Sequence, residues 1–468
     1  MHEIFASVFD RSPRQPPRRG ALHLAAILAL TLAACSDGKA PPSRASSQIA
    51  QPLPPIRAFP TQRPTPPQRS NADMARDFLD LHFQLEGGSQ LPVFTRFEGP
   101  VTLTVRGRAP ATLTRDLQAL LHRLRTEAGL DLHLVPDTSP ARITIEPVSR
   151  ARIQRVLPQA ACFVVPNVSS LEEYRRNRRA PQSDWTALRH RERLAIFVPD
   201  DVSPQELRDC LHEELAQALG PLNDLYRLPD SIFNDDNVHS VLTGFDMLML
   251  RATYDPALRT GMSRAEVAAR LPGILARLNP RGEARASAPL PATPRSWISA
   301  VETALSGHSS EASSRRAAHE VARIARAQGW QDHRRAFAHF LLGRAEQARD
   351  PRLADDHFRT ALRYLAPGPD SADMRALIQA RLAAYALREG HLAEVAPLLE
   401  QAIPAARRGQ NAALLSTLLL LKARLADIEG NRQDATALRG ESLGWALYGL
   451  GLEASGIDQL RKTVAGRG

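Results

Sequence analysis

One short segment of the chain carries the side chains with the clearest potential for chemistry. Glu213 and Gln217 are four positions apart, so on a helix they lie one turn apart on the same face. Glu214 follows the first of them, and Gly220 would let the chain turn back so that Asn223 reaches the same point. Three oxygen-bearing side chains could then hold a metal ion, while the carboxylate of Glu214 takes a proton from the metal-bound water.

This segment resembles the active-site helix of the metzincin zinc peptidases, whose pattern is H-E-x-x-H-x-x-G-x-x-H. The positions of His, Glu, His, Gly and His in that pattern are filled here by Glu213, Glu214, Gln217, Gly220 and Asn223. Only the glutamate and the glycine keep their identity. The resemblance implies a metal bound by Glu213, Gln217 and Asn223, with Glu214 as the general base.

These ligands are unusual for zinc, which prefers imidazole nitrogen and thiolate sulfur. Calcium and magnesium accept oxygen, but one carboxylate and two amides would bind them weakly unless Asp224, Asp235 or Asp236 joined. A divalent metal, zinc before calcium or magnesium, is therefore one interpretation of the segment. A hydrogen-bonded polar cluster without metal is the other, and turns are the commoner setting for Asp235 and Asp236.

Two histidines are candidates for accessory ligands. His212 and His239 lie close to the segment in sequence, and each could supply a nitrogen. On a helix, however, His212 points about 100° away from Glu213, so it cannot simply replace that residue.

The residues downstream extend the resemblance. Ser231-Ile232-Phe233 stands where matrixin-like metzincins carry a Ser-Ile-Met turn, and 242–254 resembles their closing helix. The chain over 71–270 also resembles domain-of-unknown-function family 2927, uncharacterised proteobacterial proteins that are often predicted lipoproteins. The shared residues are His212-Glu213-Glu214, Gln217, Leu219-Gly220, Asn223-Asp224, Ser231-Ile232-Phe233, Asp235-Asp236, Leu242-Thr243, Phe245-Asp246, Tyr254-Asp255-Pro256 and Gly261-Met262.

The N-terminus has the pattern of an exported lipoprotein. Arginines precede an apolar run from Ala21 to Ala34, which is too short to span a bilayer and fits a signal segment. It ends in L-A-A-C, which resembles a lipobox with Cys35 as the lipidated residue. Residues 1–35 are therefore predicted as a lipoprotein signal peptide. Ser36 favours the outer membrane by resemblance to Gram-negative lipoproteins, so we expect a periplasm-facing envelope protein anchored in the membrane by lipid.

Cys162 and Cys210 are the only other cysteines. Export would place them in an oxidising compartment, where a disulfide between them is expected to hold the helix of Glu213 against a strand. Two buried thiols are the alternative.

The domain organisation follows from composition and periodicity. Residues 36–70 are rich in proline, serine and glutamine and are predicted as a disordered tether. An α+β zincin-like domain over 71–272 and a linker over 273–295 come next. We predict helices at 113–128 and 204–219 and strands at 101–105, 130–135, 143–147, 162–165 and 194–198. A further helix is predicted from near Asn71, where Met74, Phe78, Leu79 and Phe83 recur at helical spacing. Ser203, Pro204 and Glu206 give the helix at 204–219 its start signal, and Gly220-Pro221 ends it.

Residues 296–468 are predicted to be all helical and resemble tetratricopeptide repeats. A small–large–small rhythm recurs with a period of roughly 40 residues, whereas the usual period is about 34. It is seen at Ala354/Phe358/Ala361, Val395/Leu399/Ala402 and Ala435/Arg439/Ser442. Such stacks bind protein partners, and a generic helical bundle is the alternative.

Two functions follow from these residues. One is a divergent, metal-dependent peptidase with a helical partner-binding domain. The other is an inactive pseudo-peptidase that acts as a periplasmic scaffold for peptides or proteins. The net charge of +10 comes mostly from arginines scattered among carboxylates, so no nucleic-acid partner is expected.

Overall fold

A computed structural model of the chain describes residues 53–62, 65–234, 236, 238–307 and 309–451. These residues form an α/β N-terminal region around a five-stranded sheet and an all-helical C-terminal region. The predicted signal peptide and Cys35 lie outside the described residues. Within the described ranges, no helix is both long and apolar enough to cross a membrane.

The N-terminal region contains five strands and eight helices in its described residues, apart from two short 3-10 turns. The strands are β1 Val101–Val105, β2 Leu132–Leu134, β3 Ile143–Val148, β4 Phe163–Pro166 and β5 Leu194–Pro199. The helices are α1 Asn71–Phe83, α2 Ala111–Glu127, α3 Arg150–Gln154, α4 Leu171–Asn177, α5 Pro204–Leu219, α6 Gly244–Thr253, α7 Arg264–Leu278 and α8 Pro280–Glu283. The predicted strands and the three predicted helices are confirmed to within about two residues at each end.

The sheet has the order β2-β1-β3-β5-β4, and only the edge strand β4 runs antiparallel. Parallel neighbours require crossover connections, which α2 provides between β1 and β2. This region is therefore α/β, where we had predicted α+β.

The interior strand β5 explains how the sheet holds α5. Leu194, Ile196 and Val198 belong to the core that also contains α1, α2, α5, α6 and α7. Ala195 and Phe197 face a smaller core on the opposite side, together with residues of α3 and α4. Because both faces of β5 are buried, its sequence is a continuous apolar run rather than an alternating one.

The C-terminal region is a series of helices packed in sequence order. They are α9 Arg295–Leu305, α10 Glu311–Ala327, α11 His333–Glu346, α12 Pro351–Tyr364, α13 Ala372–Glu389, α14 Leu392–Arg408, α15 Ala412–Ile428 and α16 Arg432–Gly449. Neighbours α11/α12, α13/α14 and α15/α16 form the closest pairs. The predicted linker starts too early, because α7 continues to Leu278 and α8 follows it.

The predicted small–large–small positions fall on the buried faces of α12, α14 and α16. Ala354, Phe358 and Ala361 of α12 are at most 2% exposed, and the corresponding residues of α14 are at most 1% exposed. In α16 the arginine at the large position, Arg439, instead reaches an ion pair with Asp427. Tetratricopeptide identity does not follow from these positions, and the all-helical architecture is what the structure shows.

The two regions are joined by polar contacts as well as by shared core residues. The side chain of Gln205 on α5 donates to Asn411 Oδ1 at 3.2 Å and accepts from the amide of Ala413 at 3.0 Å. Tyr448 donates to Asp116 on α2 at 2.7 Å. The start of α5 is therefore fixed by the helical region.

The described part of the predicted tether is packed against the body of the protein. Phe59 stacks on Trp445 with ring centroids 4.3 Å apart, and Arg69 pairs with Asp77 and Asp230. A segment that cannot build a core of its own can still be held on the surface of another core, which composition alone does not reveal. We call residues 53–62 and 65–70 the N-terminal strap.

Candidate functional site

The helix α5 has the boundaries that its sequence predicts. The side chain of Ser203 accepts from the amide of Glu206 at 3.1 Å, and Pro204 occupies the first turn, where it costs no hydrogen bond. The helix ends at Gly220. These signals place Glu213, Glu214 and Gln217 on the last two turns of a single helix.

Cys162 and Cys210 form a disulfide with Cα atoms 5.9 Å apart. It connects the residue that precedes β4 to the middle of α5. The helix carrying the metzincin-like pattern is thus covalently tied to the edge strand of the sheet.

A buried arginine closes the end of α5. The guanidinium of Arg191 donates to the carbonyl oxygens of Gln217 and Ala218, each at 2.7 Å, and to that of Gly220 at 2.5 Å. Arg191 is 3% exposed, and burial lowers its pKa to about 10. A cation at this position donates hydrogen bonds to the free carbonyls and is attracted to the negative end of the helix dipole. Sequence reasoning missed Arg191, because nothing near it in sequence marks its partners.

The chain after α5 turns against α1 rather than across a cleft. A Cβ on Gly220 would lie 3.0 Å from Thr253 and 3.1 Å from His82, so a side chain there would press on both. The amide of Leu222 then donates to the carbonyl of Leu81 at 2.8 Å. Gly220 thus does permit a close turn, as predicted, and the turn is used for packing.

Asn223, a predicted metal ligand, is 4% exposed and binds the backbone of α1. Its amide nitrogen donates to the carbonyl of Asp80 at 3.0 Å. Glu213 and Gln217 stay partly exposed on one face of α5. The structure therefore keeps the predicted spacing of Glu213 and Gln217 and gives the side chain of Asn223 a structural hydrogen bond.

Glu214, the predicted general base, is enclosed in the protein. It is 4% exposed, and its Oε2 has no hydrogen-bond partner among the described residues. Burial, and then the charge of the nearby Asp224, raise the pKa of Glu214 to about 8. At neutral pH this carboxyl group is therefore protonated, in which form it can donate a proton but cannot accept one. Asp224 itself is only partly buried.

His212 has a structural role that differs from the predicted accessory ligand. Its Nδ1 accepts a hydrogen bond from the amide of Leu242 at 3.1 Å. Burial, followed by the positive charges of Arg208 and Arg123, holds the pKa of His212 well below its usual range. The ring is neutral, and its Nδ1 lone pair is already used.

His239, the other predicted accessory ligand, is a buried cation. Its Nδ1 pairs with Asp373 on α13 at 3.2 Å, and its Nε2 donates to the carbonyl of Pro229 at 3.0 Å. Burial alone would lower the pKa of His239, but the hydrogen bond and charge of Asp373 outweigh it and raise the pKa to about 10. A doubly protonated ring has no lone pair for a metal.

The predicted turn and closing helix form one hydrogen-bonded unit around Asp246. Ser231 donates to Asp246 Oδ1 at 2.5 Å, and the amide of Ile232 donates to Oδ2 at 3.1 Å. The amide of Thr243 donates to the same oxygen at 2.7 Å, which completes a capping box at the start of α6. Two motifs that lie apart in sequence thus share one carboxylate, 0% exposed.

Asp236 is a turn residue, the commoner of its two predicted roles. Its Oδ1 accepts from the amide of Val238, two residues on, at 3.0 Å. Asp235 lies outside the described residues.

The residues brought together here do not fit a metal centre. In the part of the chain that the structure describes, no three His, Cys, Asp or Glu side chains are grouped so as to hold a metal ion. The two histidines that could have supplied nitrogen are engaged, and Glu213 with two amides gives a poor set of ligands for zinc.

Three cavities of the described part are either large or central, and their lining residues do not include Glu213, Glu214, Gln217 or Asn223. One of about 490 Å³ lies beside the start of α1, where four arginines face Asp73 and Asp77. A second of about 110 Å³ lies between the two regions, beside His239 and the N-terminal strap. The third, of about 560 Å³, lies between α13 and α14 and shares Ala372, Ala405 and Arg408 with the second.

Comparison with known proteins gives one match. The family described as "Protein of unknown function (DUF2927)" matches residues 71–273, the α/β region with α5 and its surroundings. No curated protein and no solved structure matches the chain. The family resemblance of this region is thereby supported, and it carries no established activity.

Proposed function

We propose that the protein is a non-catalytic scaffold of the bacterial envelope. In this proposal, a zincin-like α/β region is fused to a helical region that binds a protein or peptide partner. One observation carries it: the carboxyl group that a peptidase would need, that of Glu214, is 4% exposed and lines none of the three cavities. A general base must reach a water or a substrate, and an enclosed, protonated acid does neither.

The poor fit of the metal ligands supports the same proposal. Without a metal-bound water, Glu214 has no activated nucleophile to act upon, and Cys210, one turn before it on α5, is held in the disulfide with Cys162. Asn223 is held by α1 through Asp80. That hydrogen bond gives Asn223 a structural role in the turn after α5.

The helical region supplies the surface for a partner. The cavity of about 560 Å³ between α13 and α14 is lined by both apolar and charged groups, among them Arg375, Arg408 and Glu400. A concave surface between paired helices is the usual binding site of helical stacks.

Location in the envelope rests on the sequence pattern that ends at Cys35. Lipidation of Cys35 would anchor the protein, and the outer membrane is favoured by Ser36. The disulfide between Cys162 and Cys210 agrees with an oxidising compartment such as the periplasm.

A divergent peptidase is the second candidate. The raised pKa of Glu214 and its unpartnered Oε2 favour it, because perturbed carboxyl groups are common at catalytic sites. This candidate requires a rearrangement that exposes Glu214, since that residue is 4% exposed and lines none of the three cavities described above.

Hydrolysis of an unfolded protein tests the two candidates. Full-length protein is incubated with fluorescently quenched casein, with and without added zinc. We expect the wild-type protein to release no more fluorescence from casein than a Glu214→Gln variant does. Turnover by the wild-type chain that Glu214→Gln abolishes and that Glu172→Gln, at an exposed position on α4, retains would instead establish the peptidase.

A further inference from the structure

The N-terminal strap lies along both regions of the protein as an extended, proline-rich chain. It has no helix or strand, and its residues include Pro54, Pro55, Pro60, Pro66 and Pro67. Apart from local hydrogen bonds of Gln68 and Ser70, its contacts are made mostly with residues distant in sequence. The surface under it is therefore one that recognises an extended peptide.

One end of the strap is anchored by an aromatic stack. Phe59 stacks on Trp445 of α16 with centroids 4.3 Å apart, and the guanidinium of Arg57 lies 5.9 Å from the Trp445 ring centroid. Arg208 of α5 lies 5.9 Å from the ring of Phe59. An aromatic side chain held between a ring and a cation is a typical anchor of a bound peptide.

The backbone of the strap is recognised as well. The amide of Arg57 donates to the carbonyl of Gly444 at 3.2 Å, and Gln410 donates to the carbonyl of Pro60 at 2.9 Å. Contacts with main-chain groups do not depend on the identity of the side chains. They would hold any chain of the same extended shape.

A glycine makes room for the strap at the start of α6. A Cβ on Gly244 would overlap the carbonyl oxygen of Thr65, so an alanine there could not coexist with the strap in its place. Arg123 lies nearby and donates to the side chain of Gln62 at 2.6 Å. The surface is thus shaped for a backbone that passes very close.

The far end is fixed by charge. The guanidinium of Arg69 pairs with Asp77 and with Asp230, and it lies 4.2 Å from the ring centroid of Phe245. Asp77 is 1% exposed, so the strap supplies part of the counter-charge to a buried carboxylate.

We propose that this surface is a binding groove for extended proline-rich segments, and that the N-terminal strap is its resident occupant. The partner is a protein segment with proline residues and an aromatic anchor, which displaces the strap. Proline-rich chains lose little entropy on binding and are bound by aromatic-lined grooves. The inference rests on the proposed scaffold function and gives that function a binding site and a class of partner.

Two cavities beside the groove offer a partner additional surface that the strap does not fill. The 110 Å³ cavity is lined by Thr65, Pro66 and Pro67 of the strap. It shares three lining residues with the 560 Å³ cavity between α13 and α14. A longer segment would continue from the groove into that larger cavity.

Competition with the strap defines the experiment. A tethered segment acts at an effective concentration of about millimolar, so the wild-type chain should bind an external peptide weakly. Replacing Phe59 by alanine in the chain removes the aromatic anchor of the strap but leaves Trp445 in place. We expect the Phe59→Ala chain to bind an external peptide about fivefold more tightly than the wild type, since an aromatic pair is worth about 1 kcal/mol.

The probe is a fluorescein-labelled peptide with the sequence of residues 53–70, titrated with full-length protein and followed by fluorescence anisotropy. The matched control peptide has alanine in place of Phe59, and it should bind the Phe59→Ala chain more weakly than the peptide that keeps Phe59. A Phe59→Ala, Gly244→Ala double variant should not bind, because the added Cβ occupies the path of Thr65. Its far-ultraviolet circular dichroism and melting temperature show whether it is folded.

Equal binding by the wild-type and Phe59→Ala chains, or unimpaired binding by the folded double variant, would overturn the proposal. A wild-type dimer that Gly244→Ala dissociates would also overturn it, because the occupant would then be the strap of a second copy. Absence of peptide binding by the Phe59→Ala chain would overturn the groove proposal and leave the scaffold function standing. Turnover that depends on Glu214 would contradict the scaffold function whatever the peptide does.

Discussion

At the scale of single residues, burial decides what Glu214 can do. Its position in the pattern is that of a general base, but the surrounding protein and Asp224 favour the protonated form. Titration of a single buried group leaves a mark on the stability of the whole chain. Two predictions follow at this scale, one for a buried acid and one for a buried cation.

The first prediction concerns the pH dependence of stability. Because the pKa of Glu214 is raised in the fold, from an ordinary value of 4.5 to about 8, the folded state binds more protons than the unfolded state between these values. Its contribution is fully present below pH 4.5 and is lost as the pH rises to 8. Glu214→Gln should therefore flatten the fall in stability between pH 5 and 8, measured by urea denaturation.

At pH 8 we expect Glu214→Gln to be more stable than the wild type by roughly 2 kcal/mol. One pKa unit corresponds to about 1.4 kcal/mol, and an unbonded buried amide costs about 1–3 kcal/mol in return. Glu213→Gln, on the partly exposed face of the same helix, is the control and should keep the wild-type slope. A Glu214→Gln variant with an unchanged slope would show that the carboxyl group is ionised in the fold.

The second prediction concerns the ion pair between His239 and Asp373. The pKa of His239 is raised to about 10, so the pair stabilises the fold fully below pH 6.5 and loses its effect as the pH rises through 10. Asp373→Asn leaves a buried cation without its partner. We expect the free energy of unfolding, measured by urea denaturation, to fall by about 3 kcal/mol at pH 6. This difference from the wild type should become smaller toward pH 10.

Asp370→Asn is the control for that pair, because it removes a carboxyl group that lines the same cavity. Burial, and then the charge of Asp230, raise the pKa of Asp370 to about 6, so its charged form is disfavoured in the fold. Its removal should cost little at pH 7. Equal losses for the two variants would mean that the His239 pair is not a specific contact.

Sequence could predict which residues stand in the pattern, but not the state in which the fold holds them. The helical spacing of Glu213 and Gln217 follows from the period of the helix. The hydrogen bonds of His212 with Leu242 and of Asn223 with Asp80 do not, since their partners lie far away in sequence. A pattern of residue types therefore left both metal binding and structural packing open.

At the scale of elements, the extents of α5 and of the five strands could be predicted almost completely. Start and stop signals define the helix locally, and the alternation or continuity of apolar residues defines the strands. The order of the strands could not be predicted, because it depends on contacts between segments far apart in sequence. The parallel pairing that makes the region α/β is one result of that order.

The third prediction is for the disulfide that ties α5 to β4. Cys162 and Cys210 are 48 residues apart, and closing a loop of that length removes entropy worth about 4 kcal/mol from the unfolded chain. We expect the Cys162→Ser, Cys210→Ser double variant to be less stable by roughly 2–4 kcal/mol. The measurement is guanidinium denaturation with and without reductant. Reductant should lower the midpoint of the wild type and leave that of the variant unchanged; equal midpoints for all four samples would contradict the account.

At the scale of the whole molecule, the two regions should unfold as a unit because polar contacts cross between them. Gln205→Ala removes the hydrogen bonds to Asn411 and Ala413 and leaves buried groups unpaired, at a cost of about 2–3 kcal/mol. We expect its calorimetric transition to broaden or split. Gln217→Ala, a partly exposed site on the same helix, should keep the wild-type transition. A single sharp transition for Gln205→Ala at the wild-type temperature would show that the regions unfold independently of this contact.

The division into a first region of mixed helices and strands and a second, all-helical region could be predicted from composition and period. The docking of the N-terminal strap could not, because a proline-rich segment has the same composition whether it is free or bound. The contacts that hold it, such as Trp445 for Phe59 and Asp77 for Arg69, come from residues far along the chain. The strap was therefore predicted as a tether over its whole length.

The central claim is that the metzincin-like pattern holds α5 in place and binds no catalytic metal. Elemental analysis of the purified full-length protein tests it most directly. The protein is first dialysed against buffer that contains micromolar zinc and then against metal-free buffer. The account predicts zinc far below one equivalent per chain. About one equivalent of zinc, lost on replacing Glu213 by alanine, would contradict it.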